Sequence, residues 1–357
     1  MIYTISYVIE MSDYKITVVV ATYNSGDYIR EFLDSIKSQS IGFANIEVIF
    51  VDDNSSDEYT LDLLKDIDNS YTNVNSIFLK DNSGFPGTGR NTGLKNSNAD
   101  YIIFADHDDS YTENAFEVML DRINGNDILI SNFNQVYPDR TVPFKSVYEN
   151  EVNIASIDED INLLKLPAAI WTRLFKKSFL IENDILFLEG MLAEDVYVAS
   201  KSMLLGDGII YLNDFYSYNY KIRDTENDKS TIHVRNKKYI EAILNGYYKI
   251  DEMLGNLNKT SYGKTIFEKH LTSWLYTIVL SQIPDSDKKE LFEKSFEIFQ
   301  KYYTPDPYFK KRYNKLVKYI LNKEFDKAVS QSNKLKLKQK NMNDKSLISK
   351  LIGKVVR

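Results

Sequence analysis

Three short apolar runs, each ending in a polar cluster, constrain this chain most. Ile16–Ala21 runs into Thr22-Tyr23-Asn24-Ser25-Gly26, and Ile46–Val51 into Asp52-Asp53-Asn54-Ser55-Ser56-Asp57. Tyr101–Ala105 runs into Asp106-His107-Asp108-Asp109. Short β-branched and aromatic runs of this kind read as buried strands. Between them, Ile29, Phe32, Leu33 and Ile36, and then Leu61, Leu64 and Ile67, recur at helical spacing. Ser76–Leu79 and Asp127–Ser131 add strands, while Gly87 to Asn96 and Ala115–Ile123 add helices. Strand–helix alternation over residues 14 to about 132 predicts an α/β fold with a mostly parallel, doubly wound sheet and right-handed crossovers. Ligands of such sheets bind in the crevice outside the carboxyl ends of the strands. The three polar clusters fall at that edge.

Beyond residue 133 the pattern loosens. Pro138, Pro143 and Pro167 interrupt it, strand-like pieces follow at Ala169–Phe175 and Gly208–Tyr211, and Met191–Leu204 has helical periodicity. From Val234 the apolar spacing is helical nearly throughout. The expected organisation is therefore an α/β domain over 14–233, an α-helical region over 234–340 and a basic tail over 341–357. A chain of 357 residues has room for both parts. It contains no cysteine, which removes disulfides, zinc-thiolate sites and thiol nucleophiles. Its net charge of −7 argues against nucleic acid as a partner. The first ten residues lack the basic start and cleavage site of a signal peptide, and Met11 offers a second start position.

Individual residues suggest chemistry, each beside a plainer reading. Asp106 and Asp108, two apart at a strand end, suit a ribose and a hard divalent cation bridged to a diphosphate. The plainer reading is an acidic turn in which Asp109 or Thr112 caps the next helix. Asp53 can accept a hydrogen bond from a uracil N3–H, or can simply cap its turn. Arg90, in Gly84-Phe85-Pro86-Gly87-Thr88-Gly89-Arg90-Asn91, combines a Gly-rich approach, a helix start and a guanidinium, as phosphate sites do. The same segment also reads as an ordinary loop with a solvated Arg. Glu194-Asp195 opens a helix between apolar flanks; it either complements the helix dipole or supplies a general base at a pocket rim.

Together these segments resemble the family 2 inverting glycosyltransferases of GT-A fold. The matching elements are Val18-Val19-Val20-Ala21-Thr22-Tyr23-Asn24, Val51-Asp52-Asp53-Asn54-Ser55, Asn82-Ser83-Gly84, Gly89-Arg90-Asn91-Thr92-Gly93-Leu94, Asp106-His107-Asp108-Asp109 and Ala193-Glu194-Asp195. They occur in the family's order over about residues 15 to 225. Within the family, the segment around Arg90 and the helical last third are most similar to Gram-positive wall teichoic acid glycosyltransferases. The resemblance implies that Asp53 and Asn82 hold uracil, with Ala21 and Tyr23 also in the donor-nucleotide site. It implies that Arg90 and Asp106 contact diphosphate or ribose, that Asp108 holds Mn²⁺ or Mg²⁺, and that Asp195 is the catalytic base. It further implies a UDP-sugar donor and a cell-surface glycan or polyol-phosphate polymer as acceptor. His107 departs from the pattern, where a small residue is usual, and Phe85-Pro86-Gly87 alters the loop before Arg90.

Tyr216–Arg223 reads as a strand entering a polar loop; the resemblance implies that this region closes over the donor, where Arg223 or His233 would touch phosphate, and a solvated loop is the alternative. The C-terminal helices suit acceptor binding, a homo-oligomer interface or simple buttressing. In the tail, Leu347-Ile348, Leu351-Ile352 and Val355-Val356 recur every four residues with Lys345, Lys350 and Lys354 between them. This is the pattern of a basic amphipathic helix lying on an anionic leaflet. It points to a cytoplasmic protein held at the inner face of the membrane. A helix docked on protein is the alternative. Two rival functions stand beside the resemblance: a sugar nucleotidyltransferase and a non-catalytic glycan-binding scaffold. The nucleotidyltransferase would carry a basic Gly-rich loop where Ala21-Thr22-Tyr23-Asn24 stands. A dinucleotide-binding dehydrogenase is excluded, because no Gly-x-Gly-x-x-Gly follows the first strand.

Overall fold

A computed structural model describes residues 14–223, 235–305 and 311–339. They fall into two compact units. One lies within Met1–Asp160, Leu166–Gly190 and Glu194–Asp224, the other within Ile161–Lys165, Met191–Ala193 and Thr225–Arg357.

The first unit is built on one mixed sheet. Its first part is parallel: β1 (Ile16–Thr22) pairs with β2 (Ile46–Asp52) and β4 (Tyr101–Asp106), and β2 pairs with β3 (Val74–Phe78). Helices α1 (Tyr28–Lys37), α2 (Glu58–Ser70) and α3 (Pro86–Asn96) make the crossovers. Ile16, Val18, Val19 and Val20 are fully buried, as a run apolar on both faces requires.

Beyond β4 the sheet changes character. After β5 (Ser110–Tyr111) and α4 (Ala115–Ile123), β6 (Ile128–Tyr137) extends well past the expected Asp127–Ser131. Two short strands follow, β7 (Arg140–Pro143) and β8 (Val152–Ile154). The expected strand at Ala169–Phe175 is a 3₁₀ turn, Ile170–Thr172, that leads into β9 (Arg173–Lys176). β9 runs antiparallel to both β4 and β6. Helices α5 (Lys177–Glu182) and α6 (Glu194–Leu205) precede β10 (Ile209–Lys221), which pairs in parallel with β6. The order is β3-β2-β1-β4-β9-β6-β10-β5, with β7 on β6 and β8 on β10. Parallel pairing is thus confined to two blocks joined through an antiparallel strand.

Missing side chains bring α3 onto β1. A Cβ on Gly93 would lie 2.2 Å from Val19 Cγ1, and one on Gly89 would lie 3.2 Å from Ala21 Cβ. At Gly87 it would meet the Leu188 carbonyl oxygen at 2.1 Å. These glycines are spent on close helix packing.

The second unit is helical, with α7 (Lys237–Asn256), α8 (Gly263–Leu280), α9 (Asp285–Tyr302), α10 (Lys311–Leu321) and a last helix, α11, over 325–339. Trp274 is buried, and its indole N–H donates to the Ile240 carbonyl at 2.9 Å. Tyr247 and Tyr302 are buried beside Phe267. Trp274, Tyr247 and Tyr302 therefore belong to the core. No helix among the described residues is long and apolar enough to cross a membrane. Residues 224–234, including His233, and residues 340–357 lie outside the described residues.

Candidate active site

Register alone sets the first group of residues side by side. Ala21 pairs with Val51 on one side and with Asp106 on the other, and Thr22 pairs with Asp52. The carboxyl ends of β1, β2 and β4 therefore form one edge. Asp52 is fully buried and structural: it accepts from the Ser55 amide at 2.8 Å and from the Ser55 hydroxyl at 2.5 Å. Asp53 faces the neighbouring loop. Its Oδ1 accepts from the Ser83 amide at 2.9 Å and its Oδ2 from the Gly84 amide at 3.1 Å. Asn82 returns the contact, its Nδ2 donating to the Asp53 carbonyl at 2.7 Å. Asp53 and Asn82 are thus one unit; Asp53 does not cap its own turn, which Asp52 and Asp57 hold through Ser55 and Thr60. A carboxylate has about four lone-pair positions, so two amides leave capacity for a further donor. Tyr23 is 48% exposed just beyond β1, a ring face open to solvent.

The second group is held by Arg90. Its guanidinium is only 3% exposed, which rules out the solvated-loop reading. Nη2 donates to Asp106 Oδ1 at 2.8 Å. Nη1 donates to Asp195 Oδ1 at 2.5 Å and to Glu194 Oε1 at 3.3 Å. The Phe187 ring covers the guanidinium at 5.2 Å. Burial on its own would lower the Arg90 pKa, but the charges of Asp195, Asp106 and Glu194 outweigh it and hold the group above its ordinary value. Burial drives the Glu194 carboxyl well above the usual carboxylate range, and the Asp195 charge adds to this. For Asp195, burial pushes the pKa up while the Arg90 guanidinium pulls it back. The side chains of Asp195 and Asp106 remain 34% and 37% exposed, so each can meet a ligand.

Local backbone geometry presents this pair. Gly190 and Ala193 have positive φ of 70° and 65°, a conformation a non-glycine residue adopts only at a cost. The turn they form delivers Glu194 and Asp195 as the first residues of α6. Asn91, next to Arg90, fixes the preceding segment. Its amide donates to the Phe187 carbonyl and to Glu189, both at 2.9 Å, and it accepts from the Phe187 amide at 2.8 Å.

Asp108 forms an ion pair with Arg223, whose guanidinium also lies 4.9 Å above the Tyr28 ring. Asp109 does not cap α4, whose N-cap is Asn114; it is buried and accepts from the Lys221 amide at 2.7 Å. Thr112 likewise turns to β10, donating to the Tyr216 carbonyl at 3.1 Å. His107 places Nδ1 3.3 Å from the Ala21 carbonyl, away from the two flanking carboxylates. Among the described residues, no three acidic, imidazole or thiol groups converge on a ready-made metal site. Asp108 would by itself supply one oxygen ligand to a hard divalent cation. A cation bound there would share this carboxylate with, or displace, the Arg223 guanidinium.

Asn91 and Asp109 stand in the quoted motifs without an assigned role, and Arg173 carried no sequence signal. Asn91, Asp109 and the buried Arg173 act through tertiary contacts. Among the described residues, the Arg173 guanidinium donates to the Pro167 carbonyl at 3.0 Å and to the Met203 sulfur at 3.2 Å, and burial lowers its pKa to about 10.

Residues 17–177 match the family model described as glycosyl transferase family 2. Over 231 residues the chain is 31% identical to a poly(ribitol-phosphate) beta-glucosyltransferase of Bacillus spizizenii, covering 64% of this chain and 36% of that one. Over 267 residues it is 27% identical to the poly(ribitol-phosphate) beta-N-acetylglucosaminyltransferase TarP of Staphylococcus aureus, covering 74% and 78%. The crystal structure of S. aureus TarS 1–349 in complex with UDP-GlcNAc superimposes with a TM-score of 0.68 at 23% identity, covering 90% of this chain and 92% of that one. The chain spans little more than a third of the Bacillus relative's length.

Proposed function

The chain carries a glycosyl transferase family 2 domain on a GT-A fold, and from that premise we propose that it transfers a sugar from a UDP-sugar to a hydroxyl of a polyol-phosphate polymer or related cell-surface glycan, with inversion. The observation that supports this most is the Arg90 cluster, in which Asp195 is fixed beside Asp106 at the carboxyl edge of the sheet, each about a third exposed. In this reading Asp106 faces the donor and Asp195 faces the acceptor. Asp195 takes the proton from the acceptor hydroxyl as its oxygen attacks the anomeric carbon, on the face opposite the departing UDP. One bond forms as the other breaks, with no covalent enzyme intermediate. Asp53 and Asn82 hold the uracil, with Ala21 and Tyr23 beside it. Asp108 holds Mn²⁺ or Mg²⁺, which when bound offsets charge on the leaving diphosphate.

We assign this chemistry to residues 14–233. The helical region over 234–340 serves acceptor binding or self-association, and the basic tail over 341–357 serves the inner membrane surface. The relatives that act on poly(ribitol-phosphate) support a polymeric acceptor.

Thermal unfolding with Mn²⁺ against UDP-, GDP-, dTDP- and CDP-sugars and nucleoside triphosphates tests the donor. A ligand at 100 times its Kd stabilises by about 2.7 kcal/mol, enough to rank the panel. The expected result is a rise with one UDP-sugar that is lost in Asp108→Ala. A rise with triphosphates alone would replace this reading with nucleotidyl transfer.

A further inference from the structure

Arg90 is the most heavily engaged cation of the described site, and its engagement is one-sided. Both terminal nitrogens are spent on carboxylates, Nη1 on Asp195 and Glu194, Nη2 on Asp106. The remaining nitrogen, Nε, is buried and meets no acceptor among the described residues. Phe187 stacks over the group, and only 3% of the side chain reaches solvent. The carboxylates it holds are about a third exposed. The guanidinium is therefore sealed beneath its partners, and Asp106 and Asp195 are the exposed layer of the cluster. To bind a diphosphate it would have to abandon two short charge-assisted hydrogen bonds and leave a sealed position. It would also give up its contact with Glu194, itself 7% exposed.

We propose that Arg90 is a positioning residue for the base Asp195, acting through carboxylates and not as a ligand of the donor diphosphate. This rests on the glycosyl-transfer reading above. Its planar fork spans Asp106 and Asp195, so one rigid group sets the separation between the donor-facing and acceptor-facing carboxylates. It occupies Asp195 Oδ1, which directs proton transfer to the other oxygen. Lysine keeps the charge at this position but not the fork. It can hold one carboxylate well, and the spacing is lost.

The test measures UDP affinity by calorimetry with Mn²⁺, together with donor KM and kcat, in wild type, Arg90→Lys, Asp195→Asn and the double variant. The expected result for Arg90→Lys is a kcat lowered about 10²-fold, as small misplacements of reacting groups produce, with UDP Kd and donor KM within about threefold of wild type. In the Asp195→Asn background the same change should cost little more, because Arg90 works through Asp195. A tenfold or greater loss of UDP affinity, or a full additional loss in the double variant, would overturn the proposal. Should Arg90→Lys fold poorly, Phe187→Leu loosens the same guanidinium with every charge in place. It should lower kcat several-fold at unchanged UDP affinity; a weakened UDP complex at unchanged kcat would again refute the inference. Wild type that neither binds UDP nor transfers sugar would instead overturn the glycosyl-transfer reading, and this inference with it.

Discussion

A guanidinium buried among carboxylates is tolerated only while each removed charge leaves a partner behind. Asp195→Asn meets that condition, since Asp106 still faces Arg90 at 2.8 Å. We expect it to fold with a melting temperature near wild type, to bind UDP normally, and to lose about 10²–10⁴-fold in kcat as removal of a general base does. Near-full activity in a transfer assay would remove Asp195 from the mechanism. A second residue gives a pH signature. Burial and the neighbouring Lys269 push the half-buried His270 down from 6.5 to about 4. The unfolded chain therefore takes up this proton at a higher pH than the folded one. Stability from the neutral imidazole is full above pH 6.5 and is lost as pH falls toward about 4. His270→Leu removes the titration, so its melting temperature should gain on wild type steadily between those limits. A difference that does not change with pH would show an imidazole free to ionise in the fold.

At the scale of the element, α3 carries the most information per residue. Gly89 and Gly93 let it lie against β1, and Gly93→Ala would drive a methyl to 2.2 Å from Val19 Cγ1. The expected cost is about 1–3 kcal/mol of overpacking, despite alanine's better helix propensity. Asn91→Ala should cost about 2 kcal/mol by orphaning the buried Phe187 amide and carbonyl. Urea midpoints at unchanged slope would record both losses. α3 also shows what a sequence can reveal. Its start near Gly87 and its end at Asn96 were legible from Pro, Gly and spacing. The purpose of its glycines was not, because a phosphate cradle and a close helix–strand contact both ask for a missing Cβ. Strands β1, β2 and β4 were legible because they are buried on both faces and read as apolar runs. β10 showed only as two pieces, since register shifts between Leu212 and Tyr216 and between Tyr216 and Tyr218 break its alternation. The Arg90 cluster was legible as separate motifs and not as a cluster. Glu194 and Asp195 stand 104 and 105 positions from Arg90, and nothing local announces the contact.

Across the whole molecule, charge is divided unequally. From Asn333 to the last residue, eight basic side chains face one acid, a balance of +7 that leaves −14 on the rest of a chain whose total is −7. Lys336, within the described part, is already committed, donating to the Ser281 carbonyl at 2.6 Å. Lys345, Lys350, Lys354 and Arg357 lie among apolar pairs at helical spacing. Near an anionic leaflet each basic residue contributes about 1 kcal/mol, and this attraction decays over a Debye length of about 10 Å at 0.1 M salt. An acidic body repelled by the same surface would then be held by its tail alone. Deleting 341–357 should therefore cut co-sedimentation with phosphatidylglycerol vesicles at least tenfold at 0.1 M salt. Raising the salt to 1 M should release the full chain, while thermal stabilisation by UDP and Mn²⁺ should persist in both forms. Vesicle binding that survives the deletion would place the membrane contact elsewhere. Binding that survives high salt in the full chain would show that Leu347-Ile348 and its repeats, not the lysines, carry the attachment.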